Sequence, residues 1–357
     1  KSSSNLVINY KYDNSGIINA YDNQFNITYK GSYDIAPWLK VRFTANGIFN
    51  NKQANASELA TNPFNVPSYT RLLNEDGSHN YYSTTALYTL NEYYEEGVSN
   101  PSFRRLGFNH LEELDYNLQK TRRQNMRYQG ELLFKPIEGL TVNAQFVYES
   151  ERNTLSTYYE EDSYLMRMMY NGYLQPQSDG SLTSLIPETG GMKTTTNTIG
   201  NYWTARAQVN YTRDFGKHSV NVLAGLEFRE TKLSGTNGLM LGYDEQLQND
   251  ATATIDFSTL SQMTYAPYVG GGYFPVQQCF YDVYMADAMA SVMEERHRYA
   301  SGYANLTYTY DNKYNVFASF RKDYADVYGL NTEFRGKPLW SVGAGWSLHN
   351  EAFMKDI

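Results

Sequence analysis

The residues that most often carry catalysis or bind metal ions are sparse in this 357-residue chain, and their spacing supports neither role. No His-Glu-x-x-His motif or paired metal spacing occurs, and no nucleophile-elbow or dinucleotide-binding glycine motif is present. The lone Cys279 excludes an intrachain disulfide. The histidines are scattered: His79, His110, His218, His297 and His349. These patterns predict a protein that is not an enzyme and needs no cofactor or metal ion.

Runs of acidic residues are the next candidates, since oxygen-rich loops bind calcium. Four such runs occur, at Glu95-Glu96, Glu112-Glu113, Glu160-Glu161-Asp162 and Glu294-Glu295. None has the aspartate- and glycine-containing spacing of a calcium loop. Solvated acidic loop faces are therefore the favoured interpretation.

Tyrosine pairs are the clearest candidates for ligand contact in a chain with 34 tyrosines. Tyr81-Tyr82, Tyr93-Tyr94 and Tyr158-Tyr159 lie in long irregular stretches between predicted strands. Aromatic rings in such loops stack on sugars or grip peptides. They also pack loops together or against a partner, and this alternative stays open for each pair.

Two cations on a predicted strand point to a water-filled interior. Lys40 and Arg42 alternate with the apolar residues Leu39, Val41 and Phe43. Successive strand residues face opposite sides, so one face suits lipid and the other is polar and charged. A lumen accommodates these two cations better than the packed core of a sandwich does.

The elements that must position these residues follow one repeated pattern. Segments of about ten alternating residues are joined by tight turns on one side and by long irregular stretches on the other. This asymmetry is the signature of an outer-membrane β-barrel, and we count about ten strands. The predicted fold is all-β: a transmembrane antiparallel barrel section with long extracellular loops. The turns are 34–37, 135–139, 212–217 and 311–313, and the long stretches are roughly 51–121, 151–200, 230–298 and 322–337.

Composition agrees with this fold and excludes some functions. The mean hydropathy is −0.59, which does not exclude a barrel, because lumen-facing residues dilute every strand. A net charge of −8 argues against nucleic-acid binding. A soluble all-β module that binds glycans remains an alternative on composition alone.

Local helical patterns occur within the long stretches. Phe108–Gln119 and Ser163–Tyr170 each predict a short amphipathic helix. Met285, Met289 and Met293 recur at intervals of four and predict one stripe of a helix over Tyr281–Arg298. The favoured interpretation of this stripe is packing on its own loop.

The last sixty residues resemble a known family. The segment from Tyr303 to Asp323 and its continuation from Gly336 to Lys355 are similar to paired strands of the SusC/RagA family of TonB-dependent transporters. The resemblance is strong over 299–357 and diffuse over 1–230. The stretch Arg321–Gly329 departs from the family's usual glycine-serine pattern and is closer to the RagA-like branch, which is associated with oligopeptides.

The resemblance implies a barrel of about 22 strands in the bacterial outer membrane, in contact with the lipid bilayer and lipopolysaccharide. We therefore expect 1–357 to be one partial β-barrel domain, with the plug, the TonB-contacting segment and the remaining strands outside this chain. An open sheet would leave unpaired edges in lipid, so the other strands must exist. The implied partners are the TonB complex and a SusD-like surface lipoprotein that covers the mouth.

The implied function is TonB-dependent import of a nutrient oligomer, either an oligosaccharide or an oligopeptide. Lys40, Arg42 and Arg321 are then candidates for lumen contacts with the ligand or the plug. A passive porin or adhesin barrel is the first alternative, because it shares the strand pattern. A soluble glycan-binding module is the second.

Overall fold

The computed structural model describes residues 1–14, 16–57, 68–81, 102–105, 107–263, 277–327 and 336–354. Within these ranges, ten strands form one antiparallel sheet in which each strand pairs with its neighbours in chain order. The predicted all-β fold and strand number are therefore confirmed. The ten strands are β1 (Ser2–Asp13), β2 (Tyr21–Ala36), β3 (Leu39–Asn55), β4 (Asn117–Phe134), β5 (Leu140–Tyr159), β8 (Gly191–Phe215), β9 (His218–Tyr243), β10 (Ser291–Tyr310), β11 (Tyr314–Ala325) and β12 (Pro338–Trp346), with β6 (Leu174–Pro176) and β7 (Leu182–Ser184) forming a separate hairpin.

The four predicted tight turns join β2–β3, β4–β5, β8–β9 and β10–β11 at one edge of the sheet. Each is also tied to an adjacent turn or strand end by a backbone hydrogen bond, for example from Thr212 N–H to the Gly139 carbonyl at 2.9 Å. Gly139 has a φ of 81°, and a Cβ there would lie 2.2 Å from the Thr212 oxygen. Close side-by-side packing of these turns therefore requires glycine at this position.

The alternation of side chains divides the sheet into two unlike faces. Large apolar side chains are exposed on one face, which we call the outer face; they include Phe146 (52%), Leu226 (56%) and Trp340 (73%). Cross-strand pairing places these residues on the same side of the sheet. The opposite side, called the inner face, carries Lys40 and Arg42. The predicted apolar and polar faces are thus confirmed.

Several strands are much longer than the ten residues that the sequence suggests. β8 has 25 residues and β9 has 26, whereas a tilted membrane-spanning strand needs only about 9–11. Their extra length continues past the apolar band, where the outward residues turn polar. The stretches assigned to loops over 151–200 and 230–298 are therefore partly strand, and that prediction is wrong at the ends of β5, β8, β9 and β10.

Two of the three predicted loop helices are present. α1 (His110–Tyr116) begins after Asn109, whose side chain accepts from the N–H groups of Leu111 and Glu112. α2 (Tyr164–Gly172) begins after Ser163, which caps it in the same way through Met166 N–H. A further short helix, α3 (Phe257–Gln262), also lies in the loops. None of the helices in the described ranges is long and apolar enough to cross a membrane.

The helix predicted over Tyr281–Arg298 is wrong. A π-helical segment (Gln277–Met285) ends there, and β10 begins at Ser291. Residues 291–299 pair with the part of β9 that extends beyond the apolar band, starting with Ser291 opposite Asn237. These hydrogen bonds satisfy the backbone groups of residues 291–299. The methionine stripe is therefore broken: Met285 is buried, Met289 packs beside it, and Met293 is exposed on a strand.

Candidate functional site

The inner face carries two adjacent rows of directly opposed side chains that cross the sheet from β3 to β11. We call these two rows the inner band. Its position follows from register alone, because every neighbouring pair of strands is in unbroken antiparallel register at this level. One row contains Lys40, Leu133, Asn143, Gln208, Gly225, Tyr303 and Arg321, and the other contains Arg42, Glu131, Gln145, Arg206, Glu227, Ser301 and Asp323.

Side chains of the inner band are joined across strands by hydrogen bonds and ion pairs. Arg42 Nη1 lies 3.2 Å from Glu131 Oε2, and Asn143 Nδ2 donates to the other oxygen of Glu131 at 2.7 Å. Two strands further on, Arg206 Nη2 donates to Gln145 Oε1 at 2.7 Å. Guanidinium, carboxylate and amide groups thus alternate along the band and hold one another in place.

The far end of the inner band is built around a tyrosine. Tyr303 donates its hydroxyl proton to Gln208 Oε1 at 3.0 Å, and its ring lies over Gly225. Arg321 Nε donates to Asp323 Oδ2 at 2.8 Å, with its guanidinium carbon 6.0 Å from the Tyr303 ring centre. The predicted candidate Arg321 is therefore anchored by one acid and one aromatic ring.

Lys40 and Arg321 stand in the same row of the inner band, on strands β3 and β11. Lys40 Nζ lies 3.1 Å from Asp34 Oδ1, close to the tight-turn edge. Arg42 is one row further from that edge, opposite Glu131. The three candidate cations thus lie on one continuous polar surface, although most of a sheet's width separates Arg321 from the other two.

A second cluster, the loop core, covers the inner face at the end of the sheet remote from the tight turns. Met192 on β8 and Leu239 and Leu241 on β9 are inward-facing and buried there, and the loop helices pack against them. Burial of this much apolar surface holds the loops as one body over the sheet. Its buried members are Phe108, Leu114, Tyr164, Met166, Met168, Met169, Tyr173, Ile186, Met192, Leu239, Leu241, Leu260, Phe280 and Met285.

A buried ion pair links α1 to α2 inside the loop core. Arg167 Nη2 lies 3.6 Å from Glu113 Oε1. The Glu113 carboxylate also accepts from Tyr164 N–H and from the Asn117 side-chain amide, both at 2.6 Å. Burial raises the pKa of Glu113 and lowers that of Arg167, because each charge loses its hydration. Neither Glu113 nor Arg167 belongs to a periodic sequence pattern, so the sequence does not predict their contact.

Tyr81 is fixed on the surface of the same cluster. Its hydroxyl donates to Glu112 Oε1 at 3.1 Å, and the Arg105 guanidinium lies 3.8 Å from its ring centre. Arg105 and Glu112 are themselves paired at 2.9 Å. Burial raises the pKa of Tyr81. Tyr82, Tyr93 and Tyr94 lie outside the described residues, so their candidate roles stay predictions.

Tyr158 and Tyr159 are adjacent in β5 and therefore point to opposite faces. Tyr159 faces inward and packs against Tyr284 with ring centres 6.1 Å apart, and burial raises its pKa to about 12. Tyr158 faces outward and packs edge-on against Tyr243, at 5.7 Å between ring centres. The structure thus separates the two rings, and only Tyr159 lies beside the loop core.

Several residues of the inner band were not among the sequence candidates. Glu131, Gln145, Arg206, Tyr303 and Asp323 occupy polar positions of alternating strands, and the tight turns set their register. That register was the available signal, because counting outward from each turn places these residues opposite one another.

The inner band presents polar and charged side chains to whatever lies inside the sheet. Within the described residues, no group of three histidine, cysteine or acidic side chains is placed to hold a metal ion. The inner band offers hydrogen-bond donors, acceptors and both signs of charge, with an enclosed apolar cluster above it. Such a surface suits polar or charged groups more than it suits an apolar molecule.

Comparison with protein families and with curated proteins finds no match. Solved structures do match over almost the whole chain. The RagAB peptide transporter aligns with a TM-score of 0.62 at 14% identity, covering 99% of this chain and 33% of that one. The RagAB peptide importer in its open-open state aligns with a TM-score of 0.62 at 15% identity, covering 98% and 32%.

This chain therefore spans about a third of the length of the solved transporter chains it matches. At such identities the likeness shows the fold alone, which is that of the corresponding part of the RagAB transporter. The resemblance drawn from the last sixty residues is confirmed at this level.

Proposed function

We propose that this chain forms part of the wall of a TonB-dependent importer in the bacterial outer membrane, which takes up a nutrient oligomer. The observation that carries the proposal is the pairing of an outer apolar face with an inner band of ordered, oppositely charged side chains. The fold shared with the RagAB transporter supports the same conclusion. Energy would come from TonB acting on a plug, so no bond in the ligand need be made or broken.

The inner band favours an oligopeptide over an oligosaccharide as the ligand. A short peptide carries an ammonium group, a carboxylate and a series of amides, and the band presents complementary groups at Glu131, Arg206 and Arg321. The RagAB transporter is a peptide transporter by name, which points the same way. In the same proposal, Lys40 and Arg42 contact either the ligand or the plug.

A SusD-like surface lipoprotein is the proposed partner at the mouth. Two exposed hairpin tips project from the loop core, at Asn74–Ser78 and Gln177–Ser181. They have the same hydrogen-bond pattern, in which Asp76 accepts from Ser78 N–H at 3.0 Å and Asp179 accepts from Ser181 N–H at 3.0 Å. Two rigid, solvent-facing tips would give a lid protein well-defined contacts.

Uptake of labelled oligopeptides and oligosaccharides by cells that carry the whole transporter tests this function. Import should require TonB, favour peptides, and fall at least tenfold when Arg42→Glu and Arg321→Glu reverse two charges of the inner band. Lys217→Glu, an exposed cation in a tight turn, is the matched control and should import normally. Uptake that persists without TonB would instead identify a passive porin.

Detergent dependence separates the membrane proposal from the soluble alternative. The transporter should be extracted from native outer membrane only with detergent, and a surface lipoprotein should accompany it. Release of the protein without detergent would overturn the barrel proposal and leave a soluble glycan-binding module as the better account.

A further inference from the structure

The outer face changes character above the apolar band on β4, β5 and β8. Phe146, Tyr148 and Trp203 end the band, and most outward positions beyond them carry amide, hydroxyl or basic side chains, with Leu118, Met126 and Ile199 as the apolar exceptions. Four of these outward residues are cations and none is a carboxylate. We call them the outer cationic patch: Lys120, Arg122, Arg152 and Lys193.

The inner face of the same strand segments does not share this bias. There Arg123 is paired with Glu151 at 2.7 Å, and Glu149 accepts from the Asn125 amide. Positive and negative side chains therefore balance on the inner face and are segregated on the outer one. A general requirement for solubility would not distinguish the two faces in this way.

Register brings the outer cationic patch together. Arg122 stands opposite Thr154, Lys120 opposite Ser156, and Lys193 opposite Tyr158, on strands about 4.8 Å apart. Arg152 lies four residues beyond Tyr148, or roughly 13 Å along the strand. With the usual barrel tilt, this places the patch at the height of lipid headgroups.

A groove of about 460 Å³ opens within this patch. Lys120, Arg122 and Lys193 line it, together with three serine or threonine side chains and three tyrosines. Three carboxylates also line it: Asp115 from the last turn of α1, and Glu160 and Glu245 from the loops after β5 and β9. The serine and threonine residues are Thr154, Ser156 and Thr195, and the tyrosines are Tyr116, Tyr158 and Tyr243.

The cations of the outer cationic patch make few interactions with other protein groups. Lys120 Nζ is 3.9 Å from Glu245, while Lys193 Nζ donates to the Tyr243 hydroxyl at 2.8 Å. Within the described residues, no carboxylate lies within ion-pair distance of Arg122 or Arg152. Both guanidinium groups are on exposed residues and have the planar geometry that binds phosphate through two parallel hydrogen bonds.

We infer that the outer cationic patch binds the phosphorylated sugar headgroup of an anionic glycolipid in the outer leaflet. Arg122, Arg152 and Lys120 contact phosphate, and the hydroxyl side chains contact the sugar. The acyl chains then lie on the apolar band directly below, against Phe146 and Trp203. This site depends on the membrane placement in the proposed function but on no aspect of import.

Lipid A titrated into the whole transporter in detergent micelles tests this inference, with binding followed by native mass spectrometry. The combined variant Lys120→Gln, Arg122→Gln and Arg152→Gln should bind bisphosphorylated lipid A about tenfold or more weakly. Dephosphorylated lipid A should bind weakly to both proteins. The matched control replaces three exposed cations outside the patch, Lys11, Arg71 and Lys217, by glutamine and should bind as the wild type does.

Three results would overturn the inference. The first is equal binding of lipid A by the wild type and the combined variant. The second is displacement of lipid A by millimolar inorganic phosphate, which would indicate a site for free phosphate. The third is a protein partner that is lost from the variant while lipid A binding is unchanged. If the combined variant does not fold, Arg122→Gln alone carries the same comparison, because it leaves no carboxylate without its partner.

These outcomes are independent of transport. Loss of lipid A binding with normal peptide uptake supports the lipid site alone, and normal lipid A binding without TonB-dependent uptake overturns only the import proposal.

Discussion

Arg167 and Glu113 form an ion pair at 3.6 Å in which the two side chains are only 3% and 1% exposed. The pair joins α1 to α2 and lies under the helices that cover the inner face. Two opposite charges buried together are tolerated because each also has backbone or amide partners, including the Gly107 carbonyl for Arg167 at 2.8 Å.

Removing one member of this pair should open the loop core. Arg167→Met leaves the Glu113 carboxylate buried without its cation, which costs about 3–5 kcal/mol. Hydrogen exchange of residues 107–116 and 160–173 should accelerate accordingly. The double variant Arg167→Met and Glu113→Gln should recover much of the protection, since no charge remains buried. Arg71→Met, at an exposed i,i+4 pair with Glu75, should change nothing measurable. Unchanged exchange in Arg167→Met would show that the pair does not hold the loops.

The two tyrosines of β5 should respond differently to truncation. Tyr159→Ala removes a partly buried ring that packs on Tyr284 and should destabilise the loop core by about 1–3 kcal/mol. Tyr158→Ala removes a ring from the outer face and should leave exchange in residues 280–290 unchanged. Equal effects of the two substitutions on that segment would contradict the assignment of the rings to opposite faces.

Gly225 should tolerate no side chain beneath Tyr303. A Cβ at Gly225 would lie 2.4 Å from the ring, so Gly225→Ala must displace Tyr303 and its hydrogen bond to Gln208. We expect a loss of about 1–3 kcal/mol in the free energy of unfolding, measured by urea titration in detergent. Gly130→Ala on β4 is the control, because a Cβ there meets nothing within 4 Å. A similar loss in both variants would point to backbone effects of glycine replacement.

Exchanging the charges of Arg42 and Glu131 should show whether the inner band needs only an opposite pair or that pair in its native orientation. Glu131→Arg places two guanidinium groups opposite each other on β3 and β4 and should lower the unfolding midpoint. Adding Arg42→Glu restores an opposite pair, so the double variant should regain stability. If uptake of peptides stays low in that stable double variant, the orientation of the charges matters to the ligand or plug. Full recovery of uptake would assign the pair a purely structural role.

The carboxylate of Glu351 should make the segment after β12 sensitive to acid. Hydrogen bonds from Tyr314 (2.7 Å), Lys313 (2.9 Å) and Trp346 (3.1 Å) lower the pKa of Glu351 from 4.5 to about 2. A lowered pKa means that the ionised form is bound more tightly in the folded state, so its stabilisation is complete above pH 4.5 and is lost as the pH falls towards 2.

Hydrogen exchange of residues 347–354, corrected for intrinsic pH dependence, measures this effect. Wild type should lose protection between pH 4.5 and 2, and Glu351→Gln should show reduced protection at pH 7 with little further change on acidification. An identical pH profile for the two proteins would exclude Glu351 as the titrating group.

The wall of the barrel could be predicted from the sequence to the extent that tight turns set its register. Turn 135–139 fixes the pairing of Glu131 with Gln145, and from there the inner band follows by alternation. The extension of β9 and β10 beyond the apolar band could not be predicted, because outward residues such as Lys232 and Arg296 are polar there. A strand with two polar faces has the composition of a loop.

The loop core could be predicted only in part, for a different reason. α1 and α2 have local caps in Asn109 and Ser163, which a sequence displays. The contact of Glu113 with Arg167 joins residues 54 positions apart, and no periodicity relates them. Long-range contacts between loops depend on the finished packing and leave no local pattern.

The order of strands in the sheet follows the order of the chain without a crossover. Each long loop therefore begins and ends on two strands that are already hydrogen-bonded to each other, such as β5 and β8 or β9 and β10. Lengthening or replacing one loop changes the mouth and leaves every ladder of the wall intact. Such a wall can serve as a fixed frame on which single loops are exchanged without any change in strand pairing.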